Sequence, residues 1–295
     1  MTLEARLSRI EKRLAERHKP TAVLAYADPL KFATHTLKFA PDPWQERVLG
    51  WQGERLLLNC CRQSGKSTTT AILALHRAYY FPRSLILLLS PTLRQSQELF
   101  KKVTDFLSLL PVKPELTEDN KLSFQLKNGS RVVSLPSKEA NIRGFSGAAL
   151  IIEDEASRVP DSLYLAIRPM LAVSGGRLIL MSTPWGKRGH FFEAWENGGD
   201  TWERVKVTAY DCPRISPAFL AEEKASMPAN WFAGEYCGEF TENEDSIFRY
   251  DDIMRAVTLE VTPLFGPESS DVPPTGKHRF ILDHDVEPLF GREVL

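Results

Sequence analysis

Eight residues, Cys60-Cys61-Arg62-Gln63-Ser64-Gly65-Lys66-Ser67, carry the strongest chemical signal in the 295-residue chain. The last three match the end of the phosphate-loop pattern G-x-x-x-x-G-K-[ST], and Cys60 stands where its first glycine belongs. Gripping a nucleotide phosphate takes backbone N–H groups curled around its oxygens at a helix N-terminus, where the dipole favours negative charge. Cys61, Arg62, Gln63, Ser64, Gly65, Lys66, Ser67 and Thr68 are therefore the candidate nucleotide contacts. Gly65 permits close approach, Lys66 brings a positive charge to the β and γ phosphates, and Ser67 offers a hydroxyl to Mg2+. Arg62, four residues before Lys66, is either a second cation for the γ-phosphate or a solvated loop arginine.

A nucleotide grip becomes a hydrolase when a carboxylate pair faces it. Leu150-Ile-Ile-Glu-Asp-Glu155 is an apolar run ending in acid, the Walker B arrangement. Asp154 would hold Mg2+ and Glu155 would polarise the attacking water. A base beside the metal carboxylate favours ATP hydrolysis over phosphoryl transfer to a small molecule. Glu153, just before the pair, is expected to face solvent. Ser182-Thr183-Pro184 follows a further apolar run, where a polar pair could sense the γ-phosphate or where Pro184 simply ends the strand. Gln45, in Pro43-Trp44-Gln45, could pair with the adenine edge, with Trp44 in the core. Arg143 lies in a glycine-bearing loop, Asn141 to Gly147, and reads as an arginine finger or as a plain surface arginine.

The elements that must position these residues follow from hydrophobic patterning. Leu56–Leu58, residues 84–90, 149–153 and 177–182 are short, uniformly apolar strands. Helices are expected over 69–80, 93–110 and 160–172. Apolar strands alternating with helices imply a mostly parallel sheet covered on both faces, an α/β fold. Residues 122–126 and 130–135 flank Lys127-Asn128-Gly129 and read as a hairpin. Leu3, Leu7, Ile10 and Leu14 form one apolar seam on a short N-terminal helix, and residues 263–274 read as a linker.

Composition sets the outer bounds. No run approaches the roughly 20 apolar residues of a membrane helix, and the charged N-terminus lacks the apolar core of a signal peptide. A cytoplasmic location is expected. The four cysteines form no CxxC pair, which points to reduced thiols without a structural metal. Net charge is only −1, but residues 235–295 hold 14 acidic and 5 basic residues while residues 1–234 hold 24 and 32. The larger part has a modest basic excess that could face phosphate.

Taken in order, PDPWQERVL, CCRQSGKST, NIRGFSGAALIIEDEAS, LILMSTPWGKRGHFF, WFAGEYCGEF and IFRYDDI resemble the large terminase subunit of tailed bacteriophages, from about Asp28 to Ile253. The departure at Cys60 is usual in that family. The resemblance implies a P-loop ATPase core of the additional-strand, catalytic-glutamate (ASCE) class, over 28–199, with a small lid-like subdomain over 200–255. An N-terminal arm, 1–27, precedes it, and a linker with the start of a nuclease-like region, 256–295, follows. By the same resemblance Gln45 contacts adenine, Arg62 is the loop arginine, and Lys66 and Ser67 bind phosphate and Mg2+. Asp154 and Glu155 are the Walker B pair, Ser182-Thr183 couple hydrolysis to motion, and Arg143 is a finger supplied to a neighbouring subunit. The implied partners are double-stranded DNA, the portal of a procapsid, a small terminase subunit and further copies of the chain in a pentameric ring in the host cytoplasm. Lys138, Lys187 and Arg188 are candidate DNA-phosphate contacts. Only about 40 residues follow Ile253, too few for a two-metal nuclease, although Asp283 or Asp285 could be a first ligand of one. Two rival readings are a superfamily-2-like helicase and a non-catalytic assembly protein; the first needs a second motor domain, and intact Lys66, Asp154 and Glu155 speak against the second.

Overall fold

The computed structural model describes residues 28–137 and 142–241. The expected N-terminal helix, the 263–274 linker, Lys138, Asp283 and Asp285 lie outside the described residues.

Eight strands form one sheet in the order β3-β4-β5-β2-β6-β7-β1-β8. They are β1 Arg55–Cys60, β2 Leu85–Ser90, β3 Leu116–Asn120, β4 Ser123–Leu126, β5 Arg131–Pro136, β6 Ala148–Asp154, β7 Arg177–Ser182 and β8 Glu203–Val207. The six strands from β5 to β8 pair in parallel, and β3 and β4 add antiparallel at one edge. The four apolar runs read from the sequence become β1, β2, β6 and β7, the centre of the sheet. Both faces of these strands are covered, which is why they lack polar alternation. The hairpin around Lys127-Asn128-Gly129 forms as expected, with Phe124 opposite Val132.

Helices cover both faces. On one face lie α1 Pro43–Leu49, α2 Lys66–Tyr80 and α3 Leu93–Ser108. They pack on Leu56, Leu58, Ile86, Leu150, Ile152, Ile179 and Met181. On the other lie α4 Asp161–Ile167 and α5 Gly189–Asn197, over Leu57, Leu87, Ile151, Leu178 and Leu180. Successive strand residues therefore serve opposite layers. The helix expected over 160–172 divides into α4 and a 3-10 turn, Arg168–Leu171, because Pro169 brings no N–H to continue it.

Two strands go beyond the sequence reading. β3 is a charged, exposed edge strand without an apolar signature. β8 lies within the 200–255 region assigned to the lid, yet it pairs in parallel with β1, Leu57 opposite Arg204. After it come α6 Pro217–Ser226 and α7 Ala229–Cys237.

The strand order places β7 between β1, which carries the phosphate loop, and β6, which carries the acidic pair. That interposed strand is the additional strand of the ASCE arrangement. It also sets the spacing of the site, because a ligand on the β1 loop reaches β6 only across the end of β7.

Candidate nucleotide site

The phosphate loop leaves the buried end of β1 and turns through two left-handed residues, Gln63 (φ 59°) and Gly65 (φ 99°), before α2 begins at Lys66. Glycine is required at 65. A Cβ there would lie 2.9 Å from Gln45 Nε2 and 3.5 Å from an Arg214 guanidinium nitrogen, in a backbone conformation that other residues resist. As N-cap, Gly65 has no side chain to occupy the first N–H groups of this 15-residue helix, so those of Lys66 and Ser67 are left without a side-chain cap at the positive end of the dipole.

The acidic pair stands opposite. Asp154 ends β6, and Glu155 follows in a left-handed conformation (φ 53°, ψ 41°) that turns the chain sharply out of the strand. Glu155 Oε1 lies 2.9 Å from Lys66 Nζ, and Ser67 Oγ donates to Asp154 Oδ2 at 3.3 Å. The two motifs, more than 80 residues apart in sequence, thus share one cleft. Burial pushes the Asp154 carboxyl up to about 6, against the pull of Lys66, and the neighbouring charge of Glu155 adds to the rise. Burial also works against the charge on Lys66, but Glu155 and Asp154 outweigh it and raise the ammonium above its usual value. Lys66 thus rests on one carboxylate, that of Glu155, with the charge of Asp154 adding to the pull on its ammonium.

Ser182 and Thr183, at the end of β7, fill the gap between these walls. Ser182 Oγ donates to the Thr183 carbonyl at 2.8 Å and accepts the Ser157 N–H at 3.2 Å, which ties β7 to the turn after Glu155. Thr183 Oγ1 is buried with no hydrogen-bond partner among the described residues. A buried hydroxyl without a partner is costly unless a ligand completes it. The cleft fits a nucleotide with Mg2+ on three observations: this orphaned hydroxyl, the glycine-only approach at 65, and the convergence of a hydroxyl and a carboxylate at Ser67 and Asp154. Mg2+ holds several waters and phosphate oxygens and asks for few protein ligands, so two suffice.

Gln45 sits at 1% exposure with Oε1 accepting the Asp42 N–H at 2.8 Å, a capping box at the start of α1, and Nε2 turned towards Gly65. Only its amide nitrogen end is directed at the loop, so any base contact there is as a donor. Trp44 is in the core as expected. Arg62 is exposed; its N–H donates to the Glu235 carbonyl at 3.1 Å and its guanidinium lies 3.5 Å from the Glu235 carboxylate, on α7. Cys60 and Cys61 are buried free thiols, and burial pushes Cys60 up to about 12. Arg143 falls in the 3-10 turn Ile142–Gly144 ahead of β6; its side chain lies outside the described residues. Lys187 and Arg188 lie between β7 and α5.

Two residues, one at the site and one behind it, have no motif to announce their contacts. Arg214 reaches back from the segment after β8 to hold the Ser64 carbonyl at 2.9 Å and the Asp42 carboxylate at 2.7 Å, so it props the phosphate loop against the cap of α1. Its partners are 150 and 172 residues away, beyond any spacing rule. The second is Glu153, where the expectation of a solvent-facing residue is wrong. It is fully buried, with Oε1 2.8 Å from His190 Nε2. The alternation that sends Asp154 to the nucleotide face sends Glu153 under α5 on the other face.

Comparison with known proteins agrees with this geometry. The family model described as terminase large subunit, T4likevirus-type, N-terminal, matches residues 57–255. The terminase large subunit of Thermus virus P23-45 is 26% identical over 234 aligned residues, covering 68% of this chain and 48% of that protein. The terminase large subunit of Thermus phage G20c gives the same figures. The chain thus spans about half the length of the curated relatives it matches. Among solved structures, the large terminase ATPase domain of Thermus phage P74-26 superposes with a TM-score of 0.62 at 22% identity, over 70% of this chain and 97% of that one. The large terminase of a thermophilic bacteriophage in complex with ADP gives 0.58 at 12% identity, over 68% and 54%. These likenesses show the shared P-loop NTPase fold.

Proposed function

As the chain belongs to the terminase large subunit family, we propose that it binds ATP with Mg2+ in the cleft between the phosphate loop and Asp154–Glu155, and hydrolyses it to drive viral DNA into a procapsid. The observation that carries the reading is the contact of Lys66 with Glu155 beside that of Ser67 with Asp154. In it, the cation that meets the phosphates and the base that activates water already face one another.

Each residue then has a task set by its position. The N–H groups of the loop and of the first turn of α2 bind phosphate oxygens. Lys66 leaves Glu155 for the phosphate, which frees the carboxylate to take a proton from water. Ser67 and Asp154 would hold Mg2+, which would supply charge neutralisation when bound. Thr183 Oγ1 gains a partner, and Ser182 carries any shift to the turn at Ser157. Arg62, joined to α7 through Glu235, registers the γ-phosphate and passes its loss to the region after β8.

Arg143 completes charge neutralisation in the active site of the next subunit, which makes a homomeric ring, pentameric as in the family, the working form. DNA would be held through its phosphates, because a packaging motor must ignore sequence, with Lys187 and Arg188 as contacts. The portal protein and a small terminase subunit would be its assembly partners. Titration calorimetry with ATP and Mg2+, alongside phosphate release, tests the site. Binding by the wild type and none by Lys66→Ala is expected; equal binding by both would overturn it.

A further inference from the structure

We propose that His190 is a positioning residue for ATP hydrolysis: it clamps Glu153, and with it the end of β6 that presents Asp154 and Glu155, to the starts of α4 and α5. The inference rests on the ATPase reading of the site and assigns a role on the opposite face of the sheet.

Glu153 lies in register with Leu89 on β2 and Leu180 on β7, so its strand neighbours are apolar. Its Oε2 has no hydrogen-bond partner among the described residues. A carboxylate so placed needs a compensating group, and His190 provides it at 2.8 Å. The histidine is itself fixed by three further contacts, two of them to its ring. Nδ1 lies 3.0 Å from Asp161 Oδ1, the His190 N–H donates to that same oxygen at 2.8 Å, and the Tyr164 ring stacks on it at 4.6 Å and 10°. Both ring nitrogens face carboxylate oxygens, which calls for a donor at each, the imidazolium form.

The elements joined here carry the meaning. Asp161 opens α4, directly after the turn that begins at Glu155. His190 lies in the first turn of α5, directly after the loop that begins at Ser182-Thr183. One imidazole therefore ties together the strand end holding the catalytic carboxylates and the helices that follow both phosphate-facing loops. Buried ion pairs are a costly route to stability, and well-packed apolar residues commonly do as well. Directional contacts on three elements instead fix how the strand end lies relative to the phosphate loop, and displacements of the order of an ångström can cost orders of magnitude in rate.

The test compares His190→Ala, His190→Gln and the double variant Glu153→Leu/His190→Leu with the wild type, reading kcat, KM for ATP, calorimetric ATP affinity and Tm. His190→Ala should lower kcat about tenfold or more with ATP affinity within about twofold, and His190→Gln, which keeps a donor towards Glu153, should recover part of that loss. The double variant removes the buried charges, so its Tm should return to or exceed the wild-type value while kcat stays low. A purely structural pair would behave otherwise. A double variant with wild-type Tm and wild-type kcat overturns the proposal, as does a loss confined to KM or a glutamine variant no better than alanine. If the wild type binds no ATP, the ATPase reading fails and this inference with it. If the wild type turns over normally and the variants match it, only the role of His190 fails.

Discussion

Lys66 Nζ and Glu155 Oε1 lie 2.9 Å apart, the ammonium of the phosphate loop resting on the second carboxylate of the acidic pair. The pair is mostly buried, and in the proposed function each partner has a second use that excludes the first. Lys66 cannot neutralise a phosphate while held by Glu155, and Glu155 cannot take a proton from water while it holds Lys66. In the proposed function, arrival of the nucleotide would separate them and so link binding to readiness for hydrolysis. The cost of separation is small, because the incoming phosphate replaces one charge-assisted contact with another.

The loop should tolerate no side chain at 65. Gly65→Ala places a Cβ 2.9 Å from Gln45 Nε2 at φ 99°. A left-handed conformation costs a non-glycine residue about 1–2 kcal/mol, and relief of the contact must move Gln45 out of the α1 cap. A fall in denaturation midpoint together with loss of ATP binding is expected. Chemical denaturation and calorimetry on the same variant measure the two effects.

Asp154 is held against its own stability. Its folded value of about 6 lies above the ordinary carboxylate value of 3.8, so the ionised form is disfavoured in the folded protein. The sign follows from linkage: the nucleotide-free protein loses stability as pH rises from the unfolded value to the folded one, and regains it below both. Asp154→Asn should therefore stabilise the nucleotide-free protein at pH 7 by on the order of 2 kcal/mol, with the advantage gone below about pH 4. It should at the same time lose Mg2+-dependent ATP binding. Urea titrations at several pH values measure the first effect.

The arginine finger proposed at Arg143 would have a signature in mixtures. Arg143→Ala subunits retain an intact base, and Glu155→Gln subunits retain an intact finger. At concentrations that form rings, a mixture should recover part of the ATP turnover that neither variant shows alone. Mixtures no more active than the sum of their parts would place Arg143 outside a neighbour's site.

Much of this was legible in the chain. The strands β1, β2, β6 and β7 are apolar throughout because they are buried on both faces, and that feature is local. The phosphate loop and acidic pair were legible because their chemistry needs adjacent residues. Their meeting across β7 was implied only by the family resemblance, since strand order is not written in any one segment. Glu153 was misread because a charge at a strand end usually faces water; the partner that lets it be buried, His190, comes 37 residues later on a different element. Arg214 was missed for the same reason, and β3 because an exposed edge strand needs no apolar pattern.

The most direct measurement is ATP binding and ATP turnover by Glu155→Gln, made on one preparation beside the wild type. The glutamine removes both the base and the charge that restrains Lys66. ATP should bind as tightly as to the wild type or a few-fold more tightly, since the glutamine leaves Lys66 without the carboxylate that competes with the phosphate, while turnover falls at least about 100-fold. Binding lost together with turnover, or turnover left intact, would contradict a site in which Lys66 holds the phosphates and Glu155 readies the water.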